Sequence, residues 1–264
     1  MEKSTIEEFK KLADELLEVT QPLAKNYPEK TNEFLKILVG IYRKNVFTLY
    51  SIRWLSNQPM LSDSTLDLAR SMIEDTISVE YMIANDKEEM AKKFQRYLWV
   101  QLHQVSEFMK TIGQNASKNE LQIDTDKVDK EYQAVKKEFT HYSKTSESDL
   151  KSWIGKDIET LMKELYEKGK LNEFDTSRTS IGYVYGCWKN HLNPYDVAGY
   201  LDNETHEIGR NQAVRQALVF GATCLIRLTT RYIDEIRFVS GQNKHQDIAG
   251  KVIGLLNRMD KTEK

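Results

Sequence analysis

Apolar positions along this chain recur at spacings of three, four and seven, the period of amphipathic helices, and nowhere alternate with a period of two over a useful length. Ile6, Phe9, Leu12 and Leu16, with Val19 or Thr20, predict a first helix over 4–20, where Ser4 and Glu7 stand as in a capping box. Pro22 and Pro28 bracket a break. Phe34, Ile37, Leu38, Ile41, Val46, Leu49 and Ile52 carry a second helix from about Glu29 to Leu55, with Tyr42, Tyr50 and Trp54 as added aromatic bulk. A third helix spans 64–84, capped by Ser62 or Asp63. In a fourth, from Lys87 to about Ile112, the face expected to be buried is Met90, Phe94, Leu98, Val105, Phe108 and Ile112, and Arg96, Trp99 and His103 share the opposite one. Residues 115–128 read as a loop, 127–145 as an exposed, weakly amphipathic helix, and 156–168 as a charged helix closed by Gly169. Ile181, Val184, Tyr185, Trp188 and Leu192 mark a helix over 177–192, after which Asn193-Pro194 opens the next. Residues 206–239 form one helix, on the order of 50 Å long. It is apolar all round from Ala217 to Ile226, which puts its middle at the centre of the domain.

The expected fold is therefore all-α: a single helical bundle around a long C-terminal helix. The bundle would take in residues 1–242, with room for a peripheral helical insertion at 115–150. Residues 243–264 would be a polar tail with space for a short helix at 248–256. With 264 residues, 40% hydrophobic and 30% charged, with only 12 Gly and 4 Pro, the chain is too apolar for a disordered protein. A net charge of −2 supplies no global basic field for a phosphate backbone. Two cysteines, Cys187 and Cys224, make neither a disulfide framework nor a zinc ligand set, so no metal and no cofactor is expected. The chain starts without an apolar signal core, and its longest apolar run is about half a bilayer span. A cytoplasmic protein without membrane contact follows as an expectation.

Chemistry enters through the third helix. Leu66, Ile73, Ile77 and Tyr81 form its stripe, and Arg70 and Glu74 fall inside the same arc. If the stripe is buried, so is this pair, and a buried charge is costly unless it is paired and hydrogen-bonded. Arg before Glu is the weaker order for simple helix support. The pair is then either an ion pair that fixes bundle packing or part of a polar site. Of five histidines, His191 alone stands beside an apolar stripe, in the last turn of its helix, where the dipole favours its charged form. Packing of 177–192 against 64–84, or of both against the central helix, would bring Tyr185 and His191 to Arg70 and Glu74. The ligand-binding candidates are therefore Arg70, Glu74, Tyr81, Tyr185 and His191, and a catalytic role, if there is one, would fall to His191, Arg70 or Glu74. Arg96 and His103, seven residues apart on one helix face, also satisfy the loose arginine-to-histidine spacing of HEPN ribonucleases. A solvated face, or a homodimer contact centred on Trp99, is the alternative there.

The run Arg70-Ser-Met-Ile-Glu74 with Tyr81, then Phe94 and Tyr97, Trp153-Ile-Gly155, and Tyr185 followed by His191 resembles a prokaryotic domain family of unknown function, family 5677. The likeness spans about residues 35–230. It implies an all-helical cytosolic domain with the Arg-Glu helix and the Tyr-to-His segment as its marked positions. The family tends to carry a Ser between that Tyr and His, where this chain has Gly186, Cys187 and Trp188. At fold level the Tyr-to-His helix also resembles HEPN-type proteins of bacterial defence. Two functions stay open: a helical module that binds a partner protein or small ligand, in a bacterial stress or phage-defence response, and a metal-independent HEPN-like endoribonuclease, under which alone RNA would be a partner.

Overall fold

The computed structural model describes residues 2–58, 64–112, 124–142, 147–150, 152–171, 182–183, 203–241, 243 and 245–263. Among them the protein is all-α. Its helices are α1 (Glu2–Lys25), α2 (Glu33–Leu55), α3 (Thr65–Ala84), α4 (Lys87–Thr111), α5 (Thr125–Val135), α6 (Ile158–Glu167), α7 (Asn203–Ser240) and α8 (Gln246–Glu263). Between α5 and α6 the chain makes a ribbon of two three-residue strands, β1 (Thr140–Tyr142) and β2 (Glu147–Asp149), paired antiparallel with Thr140 opposite Asp149. This hairpin takes the place of the second half of the exposed helix expected over 127–145; β-branching and an aromatic ring at Thr140 and Tyr142 suit it.

α7 is central, as its all-round apolar middle requires. Ala217, Leu218, Val219, Leu225 and Leu228 are buried, and the helix packs on α1, α2, α3 and α8. It lies close on α2 because Gly221 lacks a Cβ: one added there would stand 3.1 Å from both Ile52 and Leu49. Further along the same contact Tyr42 and Tyr232 stack, their ring centroids 4.6 Å apart.

Element ends are set by polar groups that reach across from neighbours. α1 runs through Pro22 to Lys25. Buried Leu23 and Ala24 hold its last turn, and Arg43 Nε donates to the Ala24 carbonyl at 2.7 Å. α2 starts at Glu33 because Asn32 caps Leu35 N–H, and Glu88 of α4 accepts from Glu33 N–H and Phe34 N–H. The short helix expected at 248–256 is longer: α8 buries Val252, Leu255 and Met259 against the bundle.

The fourth helix corrects the sequence reading. Ala91, Tyr97 and Val100 are its buried positions in the bundle, whereas Leu98, Val105, Phe108 and Ile112 are exposed. The covered face of its C-terminal half is the one that carries Trp99 and His103. There α5 packs, with Val128 against Trp99, Leu102 and Met109. His103 stacks on Tyr132 at 3.8 Å and meets Asp129 at 3.3 Å. Trp99 is partly buried against α5, with Lys127 Nζ 5.6 Å from its ring.

Candidate functional site

α3 holds Arg70 and Glu74 one turn apart, and Arg70 Nε donates to Glu74 Oε1 at 3.0 Å. The pair forms as expected and is largely but not fully buried: the side chains are 22% and 40% exposed. The cause is a groove of about 1170 Å³ that opens beside them, between α3, α4 and the turn before α6. Phe94, Tyr97 and Leu98 line it from α4, Trp153 and Ile154 from the turn, and Tyr183 beside Arg70. Tyr183 stands against Arg70, whose guanidinium carbon is 5.1 Å from the ring centroid. Tyr81 packs edge-on against Trp153, as does Phe94 at 5.5 Å. Of the expected ligand residues, Arg70 and Glu74 line the groove, and Tyr81 supports its wall instead.

The Trp153-Ile-Gly155 turn is shaped by its residues. Gly155 adopts φ +75, and its N–H donates to the Ser152 hydroxyl. Asp157 then caps α6 through Thr160 N–H at 2.7 Å. That bond and the Thr160 hydroxyl hold the Asp157 carboxyl below its ordinary range. Tyr97 O–H fixes the turn's approach to α4 by donating to the Leu150 carbonyl at 2.8 Å.

Asp75, next to Glu74, also lines the groove. It accepts from Asn45 Nδ2 at 2.8 Å and pairs with Lys44 at 2.9 Å. Burial pushes its carboxyl up, against the opposing pull of Lys44 and Asn45. Sequence reasoning missed this group; the available signal was Asn45, a polar residue amid the apolar positions of α2.

The most deeply buried charge of α3 lies elsewhere. Glu80, 1% exposed, accepts from Arg227 Nε at 2.7 Å and from Arg231 at 2.8 and 3.0 Å. Arg227 also donates to the Lys170 carbonyl. This cluster ties α3 to α7 and has no part in the groove.

Tyr185 and His191 lie outside the described residues. Of their segment, Gly182 and Tyr183 are described. Gly182 sits where a Cβ would meet Phe220 at 2.7 Å and Ile73 at 2.9 Å, so this point of the chain packs on α7 and α3 together. The Arg96 and His103 spacing is accounted for by packing: Arg96 makes two hydrogen bonds to Glu138, and His103 is held by Asp129 and Tyr132. Among the described residues, no group of three or more His, Cys, Asp or Glu is placed to hold a metal ion. No described helix is long and apolar enough to cross a membrane.

No curated protein and no solved structure matches the chain. The resemblance seen in its motifs does carry through: one family's sequence profile matches residues 35–208, from α2 through the first turns of α7. That span covers most of the chain and holds the whole groove, and the chain belongs to this family of unknown function, DUF5677.

Proposed function

We propose that the protein is a binding module whose groove beside Arg70 and Glu74 takes a segment of a partner protein or a small ligand. One observation carries the reading: a groove of about 1170 Å³ with aromatic and aliphatic walls and a charged pair at its edge. Ligand sites combine such apolar walls with a few polar groups that fix orientation. The volume lies just above the roughly 300–1,000 Å³ of small-ligand pockets, which favours a peptide segment. Arg70 and Glu74 would set its orientation, and Trp153 and Phe94 would bury its apolar side chains. Tyr185 and His191 belong to the same proposal as further contacts. A setting in bacterial stress or phage defence rests on the fold-level likeness to HEPN-type proteins alone. No geometry at Arg96 or His103 favours the ribonuclease reading, since acids already engage both side chains.

The test is a screen of displayed random peptides and of small fragments against the intact protein. Binders should lose affinity on Trp153→Ala and Arg70→Ala, and keep it on Phe47→Ser, a change on exposed α2 surface. Binders indifferent to both groove variants, or cleavage of RNA that is lost on His103→Ala, would overturn the reading.

A further inference from the structure

The groove has two unlike ends, and α3 sets the distance between them. Arg70, Glu74 and Ser78 follow one another at one-turn steps along the side of α3 that lines it. Tyr81 comes next on that side, and its ring stands 6.1 Å from that of Trp153. From Glu74 to Tyr81 is about 10 Å along the helix, at 1.5 Å per residue. One end is charged, around Arg70, Glu74 and Asp75. The other is aromatic, where Trp153 and Phe94 meet edge to face at 5.5 Å.

The charges decide what the first end takes. Arg70 is paired with Glu74, Lys156 of the turn with Glu164, and Lys44, beside the groove, with Asp75. These cations are matched one to one, and Asp157 adds a further carboxylate to the lining. An anionic guest would have to displace a carboxylate from every cation it met. A cationic guest displaces nothing. Among the described residues Glu74 accepts one hydrogen bond, on Oε1 from Arg70, and its side chain is 40% exposed, so Oε2 is open to a donor from outside. Asn45, which donates to Asp75, is fully buried, and its Oδ1 has no hydrogen-bond partner among the described residues. That is a second sign that this end is short of donors. An ammonium or guanidinium makes short, strong hydrogen bonds to such a carboxylate.

Resting on the reading of the groove as a peptide site, we infer that its occupant is an extended segment of a partner protein that carries Lys or Arg three residues from a large apolar side chain. The basic group meets Glu74 Oε2, with Asp75 beside it, and the apolar group packs on Trp153 and Phe94. Three residues is the separation that spans about 10 Å in an extended chain, at about 3.3 Å each. Arg70, by holding Oε1, fixes the carboxylate for its guest.

Selection of short displayed random peptides on the full chain tests this, with the selected peptides then titrated against two variants. Selection should enrich Lys or Arg three positions from Trp, Phe, Leu or Ile. The enriched peptides should bind Glu74→Gln at least about tenfold more weakly, the effect of losing one hydrogen bond to a charged group. They should also weaken on Trp153→Ala; if that variant misfolds, Phe94→Ala, at a partly buried side chain, takes its place. Peptides that weaken on the aromatic variant but carry no enriched base, carry an acid there, or bind Glu74→Gln as tightly as the parent overturn this inference and leave the binding module standing. If no peptide binds, or none depends on the aromatic end, both fall together.

Discussion

Glu80 offers the sharpest test of how the bundle is held. Its carboxylate is 1% exposed and receives hydrogen bonds from Arg227 and Arg231, one turn apart on α7. Removing one partner of a buried ion pair costs about 3–5 kcal/mol, because a charge is left without compensation. Two features lower the figure here. Arg227 and Arg231 are 20% and 32% exposed, so water can reach them once freed. Arg227 also keeps its bond to the Lys170 carbonyl at 2.8 Å. Glu80→Ala should therefore cost about 2–4 kcal/mol. For a chain of this size that lowers Tm by roughly 5–15 °C, read by calorimetry at pH 7. Burial alone would raise the Glu80 carboxyl; the hydrogen bonds and charges of Arg231 and Arg227 prevail and hold it below its ordinary 4.5. A depressed folded-state pKa means the stabilisation is full above the unfolded value and is lost as pH falls through the folded one. The advantage of the parent over Glu80→Gln should thus be constant above about pH 5 and shrink on acidification below 4.5. A Glu80→Ala melting point within about 1 °C of the parent would refute the reasoning, since it allows less than about 0.5 kcal/mol for the cluster.

The same measurements extend to three other positions. Glu74→Ala should cost only about 0.5 kcal/mol, the scale of a half-exposed i,i+4 pair, and a loss near 3 kcal/mol would show that the groove closes over it in solution. Asp75→Asn should be more stable than the parent at neutral pH, because a carboxyl whose folded pKa is raised loses stability as it ionises; in a pH series of melts that gain should vanish below the ordinary 3.8. Gly182→Ala should cost about 1–3 kcal/mol by overpacking against Phe220 and Ile73, and an unchanged melt would mean that this point of the chain does not press on α3 and α7.

Much of the framework was legible because helix periodicity is a local property. The central place of α7 follows from ten consecutive positions with no polar face, Ala217 to Ile226, and no surface helix tolerates that. The end of α1 was not legible, because the group that satisfies the Ala24 carbonyl, Arg43, comes from another helix. The most deeply buried charge of α3, Glu80, was missed for a similar reason. On a helical wheel Arg70 lies inside the apolar arc and Glu80 at its edge, and nothing local says which one is sealed from water. Arg227 and Arg231 decide it, about 150 residues along the chain (separations of 147 and 151). The groove itself was invisible, since it is a gap between α3, α4 and a turn whose spacing depends on Gly155 and on the Tyr97–Leu150 bond.

α4 shows what periodicity leaves undecided. Its C-terminal half has two faces of comparable apolar content: Leu98, Val105, Phe108 and Ile112 on one, Trp99, Leu102 and Met109 on the other. Burial alone ranks the first higher, yet α5 covers the second. The difference lies in the polar residues beside each. Arg96 and His103 flank the second face, and the segment that begins with α5 supplies Glu138, Asp129 and the Tyr132 ring to meet them. Had that segment packed on the first face, those acids would have met Gln101 and Gln104, and the charged and aromatic partners would have been lost. Polar complementarity therefore selected the face, and the more regular apolar seam was left outward.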